Sequence, residues 1–90
     1  MNKMRRMALK AIVVQMDALS ETLAEIKEAL EGICDEEQEA FDNMPEGLQD
    51  SERGEQMQEY IETMSEAVEA LDALEELEEL RDQLEEIAEE

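Results

Sequence analysis

Apolar residues recur at regular intervals along two long stretches of the chain, and this spacing predicts two helices. Steps of three and four residues alternate in both stretches, which is the heptad pattern of helices that pack along one seam. The seam positions are Leu9, Ile12, Met16, Leu19, Leu23, Ile26, Leu30 and Ile33 in the first stretch, and Met57, Ile61, Met64, Val68 and Leu71 in the second.

The seam of the second stretch changes its spacing after Leu71. Apolar residues then follow at steps of three, at Leu74, Leu77 and Leu80. Because repeated steps of three shift a seam around the helix, residues 74–90 are predicted to pack differently from the part before them.

A turn separates the two stretches. Pro45 disfavours helix at the residue before it, Gly47 can adopt a positive φ, and either Asp50 or Ser51 can cap the helix that follows. We therefore predict an all-α fold, a single domain over residues 1–90 that forms an antiparallel αα-hairpin. Its parts are a helix over about 2–41, a loop over about 42–51 and a helix over about 52–88, with arms about 55–60 Å long at 1.5 Å per residue.

A lone hairpin leaves half of each apolar seam exposed to water. Two hairpins can cover these halves by forming a helical bundle. The seam therefore predicts a homo-oligomer, either a homodimer or a higher assembly.

The composition excludes most kinds of active site. The 90 residues include 28 Asp and Glu, seven Lys and Arg, one Cys and no His, for a net charge of −21. Without His there is neither a Ser-His nor a Cys-His arrangement, and the commonest metal ligand is absent. We expect no enzyme activity, no metal and no cofactor. With no apolar run of about eighteen residues and no signal-peptide pattern, we also expect no membrane span and a cytoplasmic location.

The charge is unevenly distributed. Residues 1–30 carry a net charge of +1, residues 31–60 carry −10 and residues 61–90 carry −12. Such a field repels nucleic acid and anionic membranes and attracts basic proteins. The candidate acidic surface comprises Asp35, Glu36, Glu37, Glu39, Asp42, Glu46, Asp50, Glu52, Glu55 and Glu59.

Two groups of residues are candidates for binding an anion. Basic side chains at the start of a helix are unfavourable against its dipole, so four of them in one place suggest a use. The second group combines an Arg with free N–H groups at the start of the second helix. The two groups are Lys3, Arg5, Arg6 and Lys10, and Ser51, Arg53 and Gly54.

The opening MNKMRR and the central run DEEQEAFDNMPEGLQDSERGEQM, residues 35–57, carry a resemblance to a known group. They resemble small acidic helical proteins carried by phages and prophages of gut bacteria. The resemblance implies a phage accessory protein that acts inside a bacterial host, and such proteins often counteract host defence. The group has no assigned activity, so the resemblance indicates a context only.

Three functions fit these observations. The first is an acidic nucleic-acid mimic that inhibits a host defence nuclease, such as a CRISPR effector or a restriction enzyme. The second is an oligomeric sponge that sequesters an anionic nucleotide signal through Arg5, Arg6 and Arg53. The third is a structural coiled-coil module. The charge favours the first, whose partner is a basic nucleic-acid-binding host protein and not nucleic acid itself.

Overall fold

The structure, a computed structural model, describes all 90 residues and consists of helices joined by short turns. The helices are α1 (Lys3–Asp42), α2 (Glu46–Gln49), α3 (Glu52–Asp72) and α4 (Leu74–Glu89). The predicted all-α hairpin is confirmed. The helices form two compact units: unit 1 combines Met1–Glu25 with Asp72–Glu90, and unit 2 is Ile26–Leu71.

Side chains satisfy free backbone groups at both ends of helix α1. At its start, Asn2 Oδ1 accepts a hydrogen bond from the Arg5 N–H at 2.8 Å, as an N-cap does. At its end, Gln49 Nε2 donates to the carbonyl oxygens of Phe41 at 3.0 Å and Met44 at 3.1 Å. One side chain therefore ties the end of α1 to the segment that follows it.

The turn between the long helices is more ordered than a loop. Residues 46–49 form the short helix α2, whose first turn is held by a hydrogen bond from the Leu48 N–H to the Pro45 carbonyl at 2.8 Å. No glycine has a positive φ, so Gly47 does not use the left-handed conformation that is open to a glycine. Because Pro45 has its φ fixed near the helical range, the chain continues into a helical turn without needing that conformation.

The second arm is interrupted at Ala73, between the end of α3 and the start of α4. There the Glu76 N–H donates to the Ala73 carbonyl at 3.2 Å, a three-residue step in place of the α-helical four. The single helix expected over about 52–88 is therefore two helices. The interruption coincides with the three-residue steps of the apolar pattern after Leu71.

Within each unit, the first and second arms pack along an inward series of residues. On α1 this series also alternates steps of three and four, but it follows Leu9, Val13, Met16, Ser20, Leu23, Lys27, Leu30, Cys34, Glu37 and Phe41, all buried or half-buried. Of the eight α1 seam positions expected from the sequence, this series contains every second one, namely Leu9, Met16, Leu23 and Leu30. The other four positions, Ile12, Leu19, Ile26 and Ile33, are exposed.

The hydrophobic core is small. Only Val13, Phe41 and Ala88 are buried hydrophobic residues, with 5%, 9% and 2% of their surface exposed. The seam positions of α3 are half-buried throughout. A chain of this size with so little buried apolar surface gains limited stability from its own core.

Candidate interaction surfaces

Unit 2 carries most of the negative charge. It contains fifteen acidic and two basic residues, a net charge of −13, whereas unit 1 contains thirteen and five, a net charge of −8. All ten residues of the candidate acidic surface lie in unit 2. Nine of them are exposed, and Glu37 is half-buried because it faces α3.

Two rows of carboxylates run along the helices of unit 2. Each row repeats at steps of three or four residues, so that its side chains share one side of a helix. The α1 row is Glu28, Glu31, Asp35, Glu39 and Asp42, and the α3 row is Glu55, Glu59, Glu62, Glu66 and Glu69. All ten side chains are exposed. The α3 row continues beyond the predicted surface, which ended at Glu59.

Arg53, one of the predicted anion-binding residues, lies among carboxylates. It lines an open groove of about 760 Å³ in unit 2 together with Glu37, Glu52, Glu55 and Glu59. Its side chain forms no ion pair within the chain. An anion that approached Arg53 would meet four acidic side chains on the same groove.

Ser51 and Gly54, the other two predicted residues of that site, are engaged in the turn itself. Ser51 is the N-cap of α3, since its Oγ accepts a hydrogen bond from the Gly54 N–H at 3.3 Å. The same hydroxyl donates to the carbonyl oxygen of Leu48. A Cβ added at Gly54 would lie less than 3.0 Å from the carbonyl oxygens of Leu48 and Gln49. The glycine therefore lets the start of α3 approach the backbone of α2.

The four predicted cations near the N-terminus lie in unit 1. Lys3, Arg6 and Lys10 line one small groove, whose other wall includes Glu89 of α4. Arg6 is half-buried, and Arg5 is exposed on another side of α1. None of the four side chains forms an ion pair within the chain. In a chain with 28 acidic residues, these cations remain free to meet an outside anion.

The sequence pattern does not predict the charge cluster around Arg81. Arg81 donates to Asp17 across unit 1, to Asp82 at 3.0 Å, and to Glu85 one turn further along α4. The hydrogen bond from Arg81 lowers the pKa of Asp17 and in turn raises that of Arg81. No local pattern indicates this cluster, because the apolar steps after Leu71 pass through Leu80 and the partner of Arg81 is 64 residues away.

The remaining chemical groups are few. Cys34 Sγ lies 3.5 Å from Ser65 Oγ and 3.8 Å from the carbonyl oxygen of Ile61, between the helices of unit 2. No three acidic or cysteine side chains come together in a group that could hold a metal ion. None of the helices combines the length and apolar character that crossing a membrane requires.

Comparison with protein-family models, with curated proteins and with solved structures gives no match to this chain. The resemblance to acidic phage proteins therefore stays a prediction.

Proposed function

We propose that this chain is a non-enzymatic inhibitor that occupies the nucleic-acid-binding surface of a basic protein, and that unit 2 is the part that does so. The observation that carries the proposal is the exposed double row of carboxylates on α1 and α3. All ten side chains of the two rows are exposed to solvent, so their negative charge is accessible to a partner.

The charge density of unit 2 is close to that of a nucleic acid. Helix α3 has 20 residues within unit 2, which corresponds to about 30 Å at 1.5 Å per residue. The net charge of −13 is therefore spread at about one charge per 2.3 Å. Duplex DNA carries one charge per about 1.7 Å of its axis. A cleft that binds DNA through Lys and Arg would meet a comparable field on unit 2.

Unit 2 has few positive charges to offset its negative electrostatic field. The two basic residues are Lys27 and Arg53. Lys27 lies 3.9 Å from Glu31 on the next turn of α1, and Arg53 lies in a groove with four Glu side chains. Such a surface repels nucleic acid and suits a basic protein, which supports a protein as the partner.

The resemblance to phage accessory proteins supports a more specific partner. A phage gains from blocking a nuclease of its host, and such nucleases bind DNA or RNA through basic clefts. We therefore propose a host defence nuclease, a CRISPR effector or a restriction enzyme, as the target, with the bacterial cytoplasm as the place of action.

The proposal is tested by affinity capture. The chain is immobilised, exposed to lysate of a bacterial host at low salt, and eluted in parallel with about 0.5 M NaCl or with duplex DNA. A basic nucleic-acid-binding protein released by both eluents is expected, because counterions screen the contact and DNA competes for the same cleft. A retained protein that neither eluent releases would contradict mimicry.

A second candidate function rests on the free cations of unit 1. Lys3, Arg6 and Lys10 share one groove and lack ion-pair partners in the chain, which favours an anion such as a nucleotide signal. Calorimetric titration with a cyclic dinucleotide tests it. Binding that disappears in Arg6→Ala but persists in Arg53→Ala would place the site in this groove, and the absence of heat in the unmodified chain would refute it.

A further inference from the structure

Four exposed apolar side chains lie on one side of unit 1. Ile12 and Leu19 on α1 are 44% and 49% exposed, and Leu80 and Ile87 on α4 are 54% and 42% exposed. Each of the four lies between two inward-facing residues of its helix, three positions after the first and one position before the second. The inward-facing residues are Leu9, Val13, Met16 and Ser20 on α1, and Leu77, Arg81, Leu84 and Ala88 on α4. In two antiparallel right-handed helices, equal offsets from the inward series place residues on the same side. We call these four residues the apolar quartet.

The quartet forms two levels that are one heptad apart. The contact between Asp17 and Arg81 fixes the register of the two helices. Ile12 and Ile87 then lie at one level, and Leu19 and Leu80 lie about 10 Å further along, which is seven residues at 1.5 Å each. An arrangement of two similar levels fits a copy of itself turned by 180°.

The surroundings of the quartet carry little charge. Helical neighbours at steps of three and four are Ala8, Gln15, Thr22, Glu76, Gln83 and Glu90, so the charged positions are confined to the ends of α4. The opposite side of unit 1 is different, because its groove is lined by Lys10, Asp17, Arg81, Glu85 and Glu89. A chain with a net charge of −21 therefore keeps one side on which a second acidic chain can approach.

The chain exposes more surface than a compact monomer of its mass. The chain exposes 6942 Å², whereas a compact monomer of 10.3 kDa exposes about 5,400 Å². The excess of about 1,500 Å² is larger than the 800 Å² or so that each partner contributes to an interface of standard size. The chain therefore has enough exposed surface, beyond that of a compact monomer, for an interface of standard size.

We propose that a second copy of this chain covers the apolar quartet in a two-fold symmetric homodimer. The two-fold axis lies between the two levels. It places the level of Ile12 and Ile87 in one copy against the level of Leu19 and Leu80 in the other. This contact is independent of the acidic rows of unit 2.

The test is the mass of the full chain in solution, measured by sedimentation equilibrium over a range of concentrations and salt. The unmodified chain is expected at twice 10.3 kDa, with association that strengthens as salt screens the repulsion between two acidic chains. The target contact proposed for unit 2 weakens with salt instead, so the two proposals fail separately. A mass of one chain under all conditions would overturn the dimer.

Substitutions in the apolar quartet test whether it forms the dimer interface. Leu19→Glu with Leu80→Glu is expected to give the mass of one chain, and Leu19→Ala with Leu80→Ala to weaken association without adding charge. The matched control is Met7→Glu with Val14→Glu, because these residues are 61% and 67% exposed and line the charged grooves of unit 1. Circular dichroism monitors folding. Association that survives both quartet variants, or that the control abolishes equally, would overturn the proposed face.

Discussion

Arg81 donates hydrogen bonds from Nε and Nη2 to the two carboxylate oxygens of Asp17, at 2.6 and 3.1 Å. This two-point contact joins α1 to α4 across 64 residues of sequence and sets which turns of the two helices face each other in unit 1. A planar guanidinium suits such a contact better than an ammonium group does. The core of unit 1 is small, so a polar contact has a larger part in defining its register.

The first prediction is that Asp17→Asn lowers the melting temperature at neutral pH and has a smaller effect in acid. The hydrogen bond from Arg81 holds the pKa of Asp17 below its ordinary value of 3.8. A lowered folded-state pKa stabilises the fold fully above the unfolded-state pKa, and this stability is lost as the pH falls through the folded-state pKa. The difference between the two proteins should therefore be constant above about pH 5 and shrink below about pH 4.

The control for Asp17→Asn is Asp35→Asn, which removes the same charge from an exposed position of α1. Thermal unfolding followed by circular dichroism from pH 3 to pH 8 provides the comparison. If Asp17→Asn and Asp35→Asn change the melting temperature equally at every pH, the contact with Arg81 contributes nothing to stability.

The second prediction concerns two helical glycines with opposite surroundings. Gly54→Ala should lower the free energy of unfolding by about 1–3 kcal/mol, because its Cβ would collide with backbone carbonyl groups that cannot move independently. Gly32→Ala should raise it by about 0.5–1 kcal/mol, because no atom lies within 4 Å and alanine favours helix. Urea unfolding measures both, and a stabilising Gly54→Ala would show that α2 does not pack closely on α3.

The third prediction tests the link between α1 and α2. Gln49→Glu removes the N–H donors that reach the carbonyl oxygens of Phe41 and Met44, and it should cost about 1–3 kcal/mol. Gln56→Glu makes the same change of charge at an exposed position of α3 and should cost much less. If urea unfolding shows that both variants lose the same free energy of unfolding, the effect of Gln49→Glu is due to its charge alone.

The sequence predicts the fold class because long runs with alternating steps of three and four are hard to satisfy in any other structure. It does not identify which side of α1 faces the second arm. The exposed stripe of Ile12, Leu19, Ile26 and Ile33 is entirely apolar, whereas the inward positions beside it include Ser20 and Lys27. A reading of apolar spacing alone therefore assigns the more apolar stripe to the seam.

The turn illustrates a second limit of the sequence. Pro45 and Gly47 indicate a break in the helix, but the close approach at Gly54 depends on where α2 places its carbonyl groups, which no local pattern encodes. The same holds for Arg81, whose partner Asp17 lies on the other arm. For the candidate surface, composition is sufficient to predict many exposed carboxylates, while their arrangement in two rows follows from the helices that carry them.

The most direct test of the proposed function is displacement of labelled duplex DNA from the captured nuclease by three forms of this chain. The unmodified chain and a variant with Glu78→Gln, Glu79→Gln and Glu86→Gln in unit 1 should displace DNA at similar concentrations. A variant with Glu59→Gln, Glu62→Gln and Glu66→Gln in unit 2 loses the same number of charges and should need at least about tenfold more protein. Equal displacement by both variants, or binding of DNA and this chain to the nuclease at the same time, would contradict the account.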